Sequence, residues 1–294
     1  MSVIVFYNGK KNIGESEKIM IYEENKLKEK LIEIEKNNYL LEKGEDYFNI
    51  GLEMLESIGS LDPILRDELI YGTLSHWILE NKFTIEQLKK LLKISLDKDH
   101  LFYKLYEKND DAVFKRTFSV LIVALIIEKH REEKFLCKEE LYELKDKLIE
   151  YMNNEQDVRG YVEIKGWAHS AAHASDALAE LSQCSCINKI DLLDILNAIK
   201  AKVCIGYYVY IEEESERMIT VVENSFNRNM ISYLEITSWL HEFKLQDVKA
   251  SYIENMHLKV NVKGFLRALY FRLLDQDKFN EINEEIKKII NSLK

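Results

Sequence analysis

The sequence predicts an all-α fold of HEAT-like helical repeats, an α-α superhelix, on three observations. One proline and ten glycines in 294 residues are too few for a sandwich or barrel, which spends such residues on frequent turns. Apolar residues recur at helical spacing in segments of roughly 12 to 20 residues joined by short links. The resulting helix-loop-helix period of about 35 to 50 residues is that of HEAT-like solenoids, although no exact repeat is present. No Gly/Ser/Pro-rich linker divides the chain, so residues 1–294 read as a single all-helical domain.

Residues 1–57 are rich in Lys, Glu, Ile and Asn and read as N-terminal capping helices, with helical periodicity over 27–55. A helix over 62–79 opens at Asp62-Pro63, the order of an N-cap and a first helical position. Thr84 starts a helix over 85–96, with Glu86 in its first turn suiting the macrodipole. Asp111 starts another over 112–127. Further helical patterns cover 138–152, 166–181, 190–203, 230–243 and 262–274. A C-terminal helix occupies 276–294, its periodic part 279–293. Two stretches compete as strands: 3–7, and 204–210, which is aromatic and β-branched but equally suits the end of a helix.

Composition narrows the function classes. Fifty-one acidic and 41 basic residues give a net charge of −10, which excludes a general grip on nucleic acid or anionic lipid. The longest apolar run, 120–127, is far short of the ~20 residues that cross a bilayer, and the N-terminus lacks a secretory pattern. A cytoplasmic location is expected. Cys137, Cys184, Cys186 and Cys204 form neither a disulfide framework nor a complete zinc pattern. P-loop, G-x-G-x-x-G and G-x-S-x-G motifs are absent.

One stretch looks like chemistry, EQDVRGYVEIKGWAHSAAHASDAL over 155–178. On a helix turning about 100° per residue, His169, His173, Asp176 and Glu180 point within roughly 60° of one another. Alanines at 168, 172, 177 and 179 flank the stripe, so neighbouring helices can approach and leave it in a groove where pKa values shift. Three readings stay open. The side chains form satisfied polar pairs on a helix surface. Alternatively His169, His173 and Asp176 ligate a divalent metal; the intervening residues do not make the H-E-x-x-H protease pattern. A third role is acid–base catalysis or ligand hydrogen bonding without metal.

Arginine usage gives a second signal. With 33 lysines and eight arginines, positions that keep arginine suit planar bidentate pairing, which lysine cannot provide. Arg66, Arg116, Arg159, Arg217, Arg267 and Arg272 each have an acid or amide nearby in sequence. They read either as buried salt bridges between helix pairs or as anion contacts. Trp77, Trp167 and Trp239 lie in apolar context and suit core packing or a groove wall. Tyr71 and Tyr161 could donate into a groove, and Glu214 or Glu216 could bring an acid to the histidines.

Five segments resemble a bacterial all-helical family known as domain of unknown function 2785: DPILRDELIY (62–71), DAVFKRTFS (111–119), DVRGYVEIKGWAHSAAHASDAL (157–178), SER (215–217) and NVKGFLRALYFRL (261–273). The resemblance runs over about 58–275, and GWAH-x-x-AH-x-x-D is its specific part. Ala174-Ser175 departs from it, since a glycine is expected before the alanine; the His–His–Asp spacing is untouched. The resemblance implies an all-helical cytoplasmic protein of a low-GC bacterium and carries over no activity.

Two functions are therefore expected. The first is a binding module without a cofactor, taking a protein, peptide or small-molecule ligand in a polar groove formed by Arg66, Tyr71, Arg116, Asp157, Arg159, Trp167, His169, His173, Asp176, Glu216, Arg217 and Arg267. The second is a hydrolase-like enzyme holding a divalent metal on His169, His173 and Asp176, with Glu214 or Glu216 as base.

Overall fold

The computed structural model describes residues 15–107, 110–244 and 251–293, and its helices, with one hairpin of two-residue strands, make the fold all-α. The expected strand at 3–7 lies outside these residues. Helix α1 (Glu15–Lys36) turns the buried stripe Leu27, Leu31 and Ile34 inward, the spacing of one helical face. Helix α2 (Tyr47–Glu56) comes next, capped by the Asp46 carboxylate. The single periodic segment read over 27–55 is thus two helices with a link between them.

At the third segment Asp62 caps as expected, its carboxylate accepting the N–H groups of Ile64 at 3.0 Å and Leu65 at 3.4 Å. The turns beyond this cap are not plain α-helix. Ile64–Tyr71 is π-helical and passes into α3 (Gly72–Leu79). Helix α4 (Ile85–Ser95) carries the expected Thr84 cap as a full capping box with Gln87. Helix α5 (Ala112–Glu133) is capped one residue earlier than expected: Asp110 accepts the Ala112 N–H at 2.8 Å, while the Asp111 carboxylate takes the Lys165 ammonium, also at 2.8 Å.

Helix α6 (Lys138–Asn154) leads to the antiparallel hairpin β1 (Tyr161–Val162) and β2 (Gly166–Trp167). Helix α7 (Ser170–Ser182) therefore begins four residues later than the helical pattern from 166 suggested. After α8 (Lys189–Val203), residues 204–210 form no strand. They lead instead into α9 (Glu214–Asn227), a helix the periodicity did not reveal. Helices α10 (Tyr233–His241), α11 (Tyr252–Leu273) and α12 (Asn280–Ser292) complete the order. No helix among the described residues is long and apolar enough to cross a membrane.

One continuous row organises the packing, in which α3, α5, α7, α9 and α11 lie each against the next; beside it α6 packs on α8, and α10 on α12. Helix α7 is the most enclosed element of that row, with α5 on one side and α9 on the other. Its alanines at 171, 172, 174, 177 and 179 are all buried. Small side chains let three helices approach closely, and enlarging one would force an overpacking cost of about 1–3 kcal/mol.

Candidate functional site

The site is assembled by three local irregularities. The first is the π stretch Ile64–Tyr71, whose i→i+5 bonding is rare and often marks a functional position. It presents Asp67 and Tyr71 to one recess. The second is the hairpin, whose turn holds Ile164 at φ 69° and whose second strand opens on Gly166 at φ 78°. A Cβ at Gly166 would lie 2.9 Å from Pro63 Cβ and 3.2 Å from Asp67 Oδ2. Glycine is therefore needed both for its left-handed backbone and for this contact. The third is His169, which stands in the left-handed region at φ 48° as the residue before α7. Its backbone N–H donates to Arg159 O at 2.9 Å, and its carbonyl accepts the His173 N–H at 2.9 Å.

These features enclose a recess of about 320 Å³ lined by Asp67 and Tyr71, by Phe118 and Leu121 of α5, by Trp167 and His169, and by His173 and Arg217. The Trp167 indole stacks on the His169 ring, centroids 4.4 Å apart and planes at 25°. His169 and His173 meet edge to face at 5.8 Å. His173 Nδ1 lies 2.9 Å from the Thr117 hydroxyl, and Nε2 makes no hydrogen bond among the described residues. Burial lowers both imidazole pKa values, that of His173 well below the ordinary range, with His169 and the Arg217 and Arg66 charges adding to the effect. Both rings are neutral near pH 7. Asp67 is pushed up to about 6 because burial outweighs the attraction of Arg66. Burial and the nearby Asp176 carboxylate also raise Tyr71, so its phenol keeps its proton.

Of the twelve groove residues expected from sequence, five line this recess: Tyr71, Trp167, His169, His173 and Arg217. Most of the others make contacts around it, and Arg267 does not. Arg66 is fully buried between the Phe114 and Phe118 rings, 4.3 and 4.7 Å from their centroids. It donates to Ser60 O and Lys165 O at 2.7 Å each, tying the π stretch to the hairpin. Its Nε lies 2.7 Å from Asp67 Oδ1 without hydrogen-bond alignment. Arg116 is equally buried; it grips Glu155 at 2.6 and 2.9 Å and donates to the carbonyls of Tyr103 and Lys104. Asp157 holds Arg159 through both oxygens, at 2.8 and 2.6 Å. Glu216 pairs with Arg272 at 2.6 Å, while Arg267 is exposed on α11.

The polar stripe divides. Asp176 gives both oxygens to Arg217, one of them at 2.6 Å from Nε, and Glu180 pairs with Arg131. His169, His173 and Asp176 therefore do not gather on one point as a ligand set. The physical reason is that α9 runs beside α7 and brings Arg217 to the carboxylate first. Among the described residues, the ligand atoms that do converge, within 4.8 Å of one another, belong to His169, Glu212 and Glu214.

Sequence reasoning missed Asp67, Phe118 and Leu121 in the recess, and Thr117 behind it. Asp67 follows Arg66 directly, and only the wider π turn brings it round to the recess, so α-helical phasing carried no signal for it. The cysteines play no part: burial raises the Cys184 and Cys204 thiols to about 12, which leaves them poor nucleophiles.

No curated protein and no solved structure matches this chain. A family match covers residues 101–271, which takes in the hairpin, both histidines and Arg217 but stops short of Asp67 and Tyr71. Spanning more than half of the chain and joining the site's central elements, that match shows that the protein belongs to the family described as protein of unknown function (DUF2785).

Proposed function

We propose that the chain is a small-molecule-binding protein on a HEAT-like α-α superhelix, and that its ligand is a flat, neutral heteroaromatic of about the size of a nucleobase. The observation that carries this reading is the wall chemistry of the 320 Å³ recess. Small-molecule sites are concave, mostly apolar and furnished with a few placed polar groups, and this volume lies at the low end of their ~300–1,000 Å³ range. Trp167, Tyr71, Phe118 and Leu121 supply apolar and aromatic surface. One indole face rests on His169, yet Trp167 remains 41% exposed, so a planar ligand has a ring to stack on. Tyr71 offers a donor, Asp67 an acceptor and the neutral His173 ring its free nitrogen, a set that suits edges bearing both donors and acceptors. Arg217 is already engaged by Asp176, which argues against a strongly anionic ligand.

The continuous row of alternate helices α3, α5, α7, α9 and α11 supports the superhelix reading, because solenoids of this type stack successive helix pairs. The hydrolase-like alternative on His169, His173 and Asp176 draws less support, since the Asp176 oxygens and His173 Nδ1 already have partners.

Ligand-observed and protein-observed NMR with a library of mono- and bicyclic heteroaromatics tests the proposal. Expected hits shift the Trp167 indole N–H together with the His169 and His173 ring signals, and lose binding in Trp167→Ala and Tyr71→Phe variants. Hits confined to other surfaces, or none from the library, would overturn it.

A further inference from the structure

At the Nε2 edge of His169 lie two acidic side chains that do not line the recess and that the ligand reading does not use, Glu212 and Glu214. Glu214 opens α9 and is 1% exposed. Its Oε2 accepts the Glu212 N–H at 3.0 Å, but Oε1 has no hydrogen-bond partner. That oxygen stands 3.9 Å from His169 Nε2. Glu212 comes from the segment that leads into α9, and its carboxylate accepts the Tyr161 N–H at 2.8 Å while its backbone carbonyl lies 3.1 Å from His169 Nε2. Neither carboxylate has a lysine or arginine within ion-pair distance among the described residues. A buried, unpaired carboxylate oxygen beside a second acid is costly unless a cation or a proton compensates it.

The geometry points to a divalent metal site formed by His169 Nε2, Glu214 Oε1 and the Glu212 carboxylate, with the Glu212 carbonyl as a further oxygen. The three side-chain ligand atoms lie within 4.8 Å of one another. Neighbouring ligands at bonds of ~2.0–2.2 Å sit roughly 3.0 to 3.6 Å apart. The 3.1 Å contact between Nε2 and the carbonyl already has that separation, and the 3.9 Å pair needs a contraction of a few tenths of an ångström. One imidazole with carboxylate and carbonyl oxygens is a mixed donor set, suited to manganese(II), iron(II) or zinc. The neutral His169 ring would supply its Nε2 lone pair in the Nδ1–H tautomer. No redox change or further reactant is involved.

The backbone is shaped around this group. A Cβ at Gly160 would stand 1.6 Å from Glu212 Oε2 and 2.9 Å from Glu214 Oε1, so both carboxylates close over this backbone position and would have to shift for any larger residue. Glu213, at φ 63°, turns the chain so that the acids on either side of it both reach His169. An ion here would clamp the hairpin to the start of α9 and hold the ring on which Trp167 stacks.

Calorimetric titration of the tag-free, chelator-stripped full chain with MnCl2 and with ZnCl2 tests the site. One equivalent of at least one ion should bind, and Glu214→Gln should weaken it by more than about 100-fold, beyond the loss expected of a merely supporting group. Cys137→Ser should leave the affinity unchanged. Should Glu214→Gln fail to fold, pulsed electron paramagnetic resonance of manganese bound to the unmodified protein still decides, because the site requires one directly coupled imidazole nitrogen. Lack of saturable binding by both ions, binding that survives Glu214→Gln, or bound manganese without nitrogen coupling would each overturn the inference. His169 borders both sites, but the two failures are told apart, because metal binding is read through Glu214→Gln and the heteroaromatic recess through Trp167→Ala and Tyr71→Phe.

Discussion

The His173 imidazole is held from behind by Thr117, whose hydroxyl stands 2.9 Å from Nδ1 with both side chains buried. The contact engages one ring nitrogen and leaves the other to the recess. Phe118, edge-on to the same ring at 5.5 Å, restricts its tilt. Thr117→Val preserves the shape of the residue but leaves Nδ1 buried without a partner, at a cost of about 1–3 kcal/mol. Urea denaturation should show that loss, with the slope of the transition unchanged. A variant as stable as the parent would mean that the hydroxyl does not hold the ring.

Asp67 offers a test in pH. Its carboxyl is raised from 3.8 to about 6 by burial, so between these values the folded protein binds more protons than the unfolded chain. Stability should therefore fall as pH rises from about 4 to 6 and stay reduced above that. Asp67→Asn should flatten this window and raise stability at pH 7 relative to pH 4, by on the order of 1 kcal/mol once solvent screening is allowed for. Carbon-detected NMR of the side-chain carboxyl should give a midpoint near 6. An Asp67 that titrates at its ordinary value would remove the basis for the pH effect.

The legible part of this protein was its regular part. Periodicity located most helices because their buried faces repeat at 3.6 residues, and the caps at Asp62 and Thr84 are local chemistry written in adjacent residues. It failed where the backbone leaves the α-helical path. The pattern from 166 is helical in its apolar spacing, yet Gly166 at φ 78° and His169 at φ 48° break the helix there. Helix α9 was hidden because its opening residues, Glu-Ser-Glu-Arg, carry no apolar periodicity, although Glu214 is buried. Missing α9 also hid the partner of Asp176, since Arg217 reaches it only across two packed helices. The histidines still met, because His169 immediately precedes the helix that carries His173.

Gly166 ties the hairpin to the π stretch, and its replacement separates backbone strain from simple loss of flexibility. In Gly166→Ala the new methyl would meet Pro63 Cβ at 2.9 Å and Arg66 Nη2 at 3.1 Å, in a backbone already at φ 78°. The left-handed conformation alone costs roughly 1–2 kcal/mol for a residue with a Cβ, and the clash adds to it. Because Trp167 adjoins this position and is the exposed tryptophan, with Trp77 and Trp239 buried, its emission should shift toward longer wavelength. Gly72→Ala is the control: a Cβ there meets nothing within 4 Å, and a helical glycine replaced by alanine should gain about 0.5–1 kcal/mol. Equal effects from both substitutions would contradict the close approach at the hairpin.

Lys202 carries the clearest burial penalty outside the recess. It is 4% exposed and donates to the Glu155 carbonyl at 2.7 Å, while the Glu155 carboxylate is already gripped by Arg116. Burial accordingly lowers the ammonium to about 8, with Glu155 only partly opposing it. The unfolded chain, near its ordinary value of about 10.4, then holds more protons than the folded one between pH 8 and 10.4, so stability should rise with pH across that window. The full penalty, on the order of 3 kcal/mol, is present below pH 8. Lys202→Met keeps the aliphatic stem and removes the charge, at the expense of one hydrogen bond to the Glu155 carbonyl. It should be more stable at pH 7 by on the order of 1 kcal/mol and should lose the rise between pH 8 and 10. Chemical denaturation of both proteins at pH 7 and 9.5 measures this. A parent protein whose stability falls over that range as steeply as the variant's would show that Lys202 is charged in the fold at no cost.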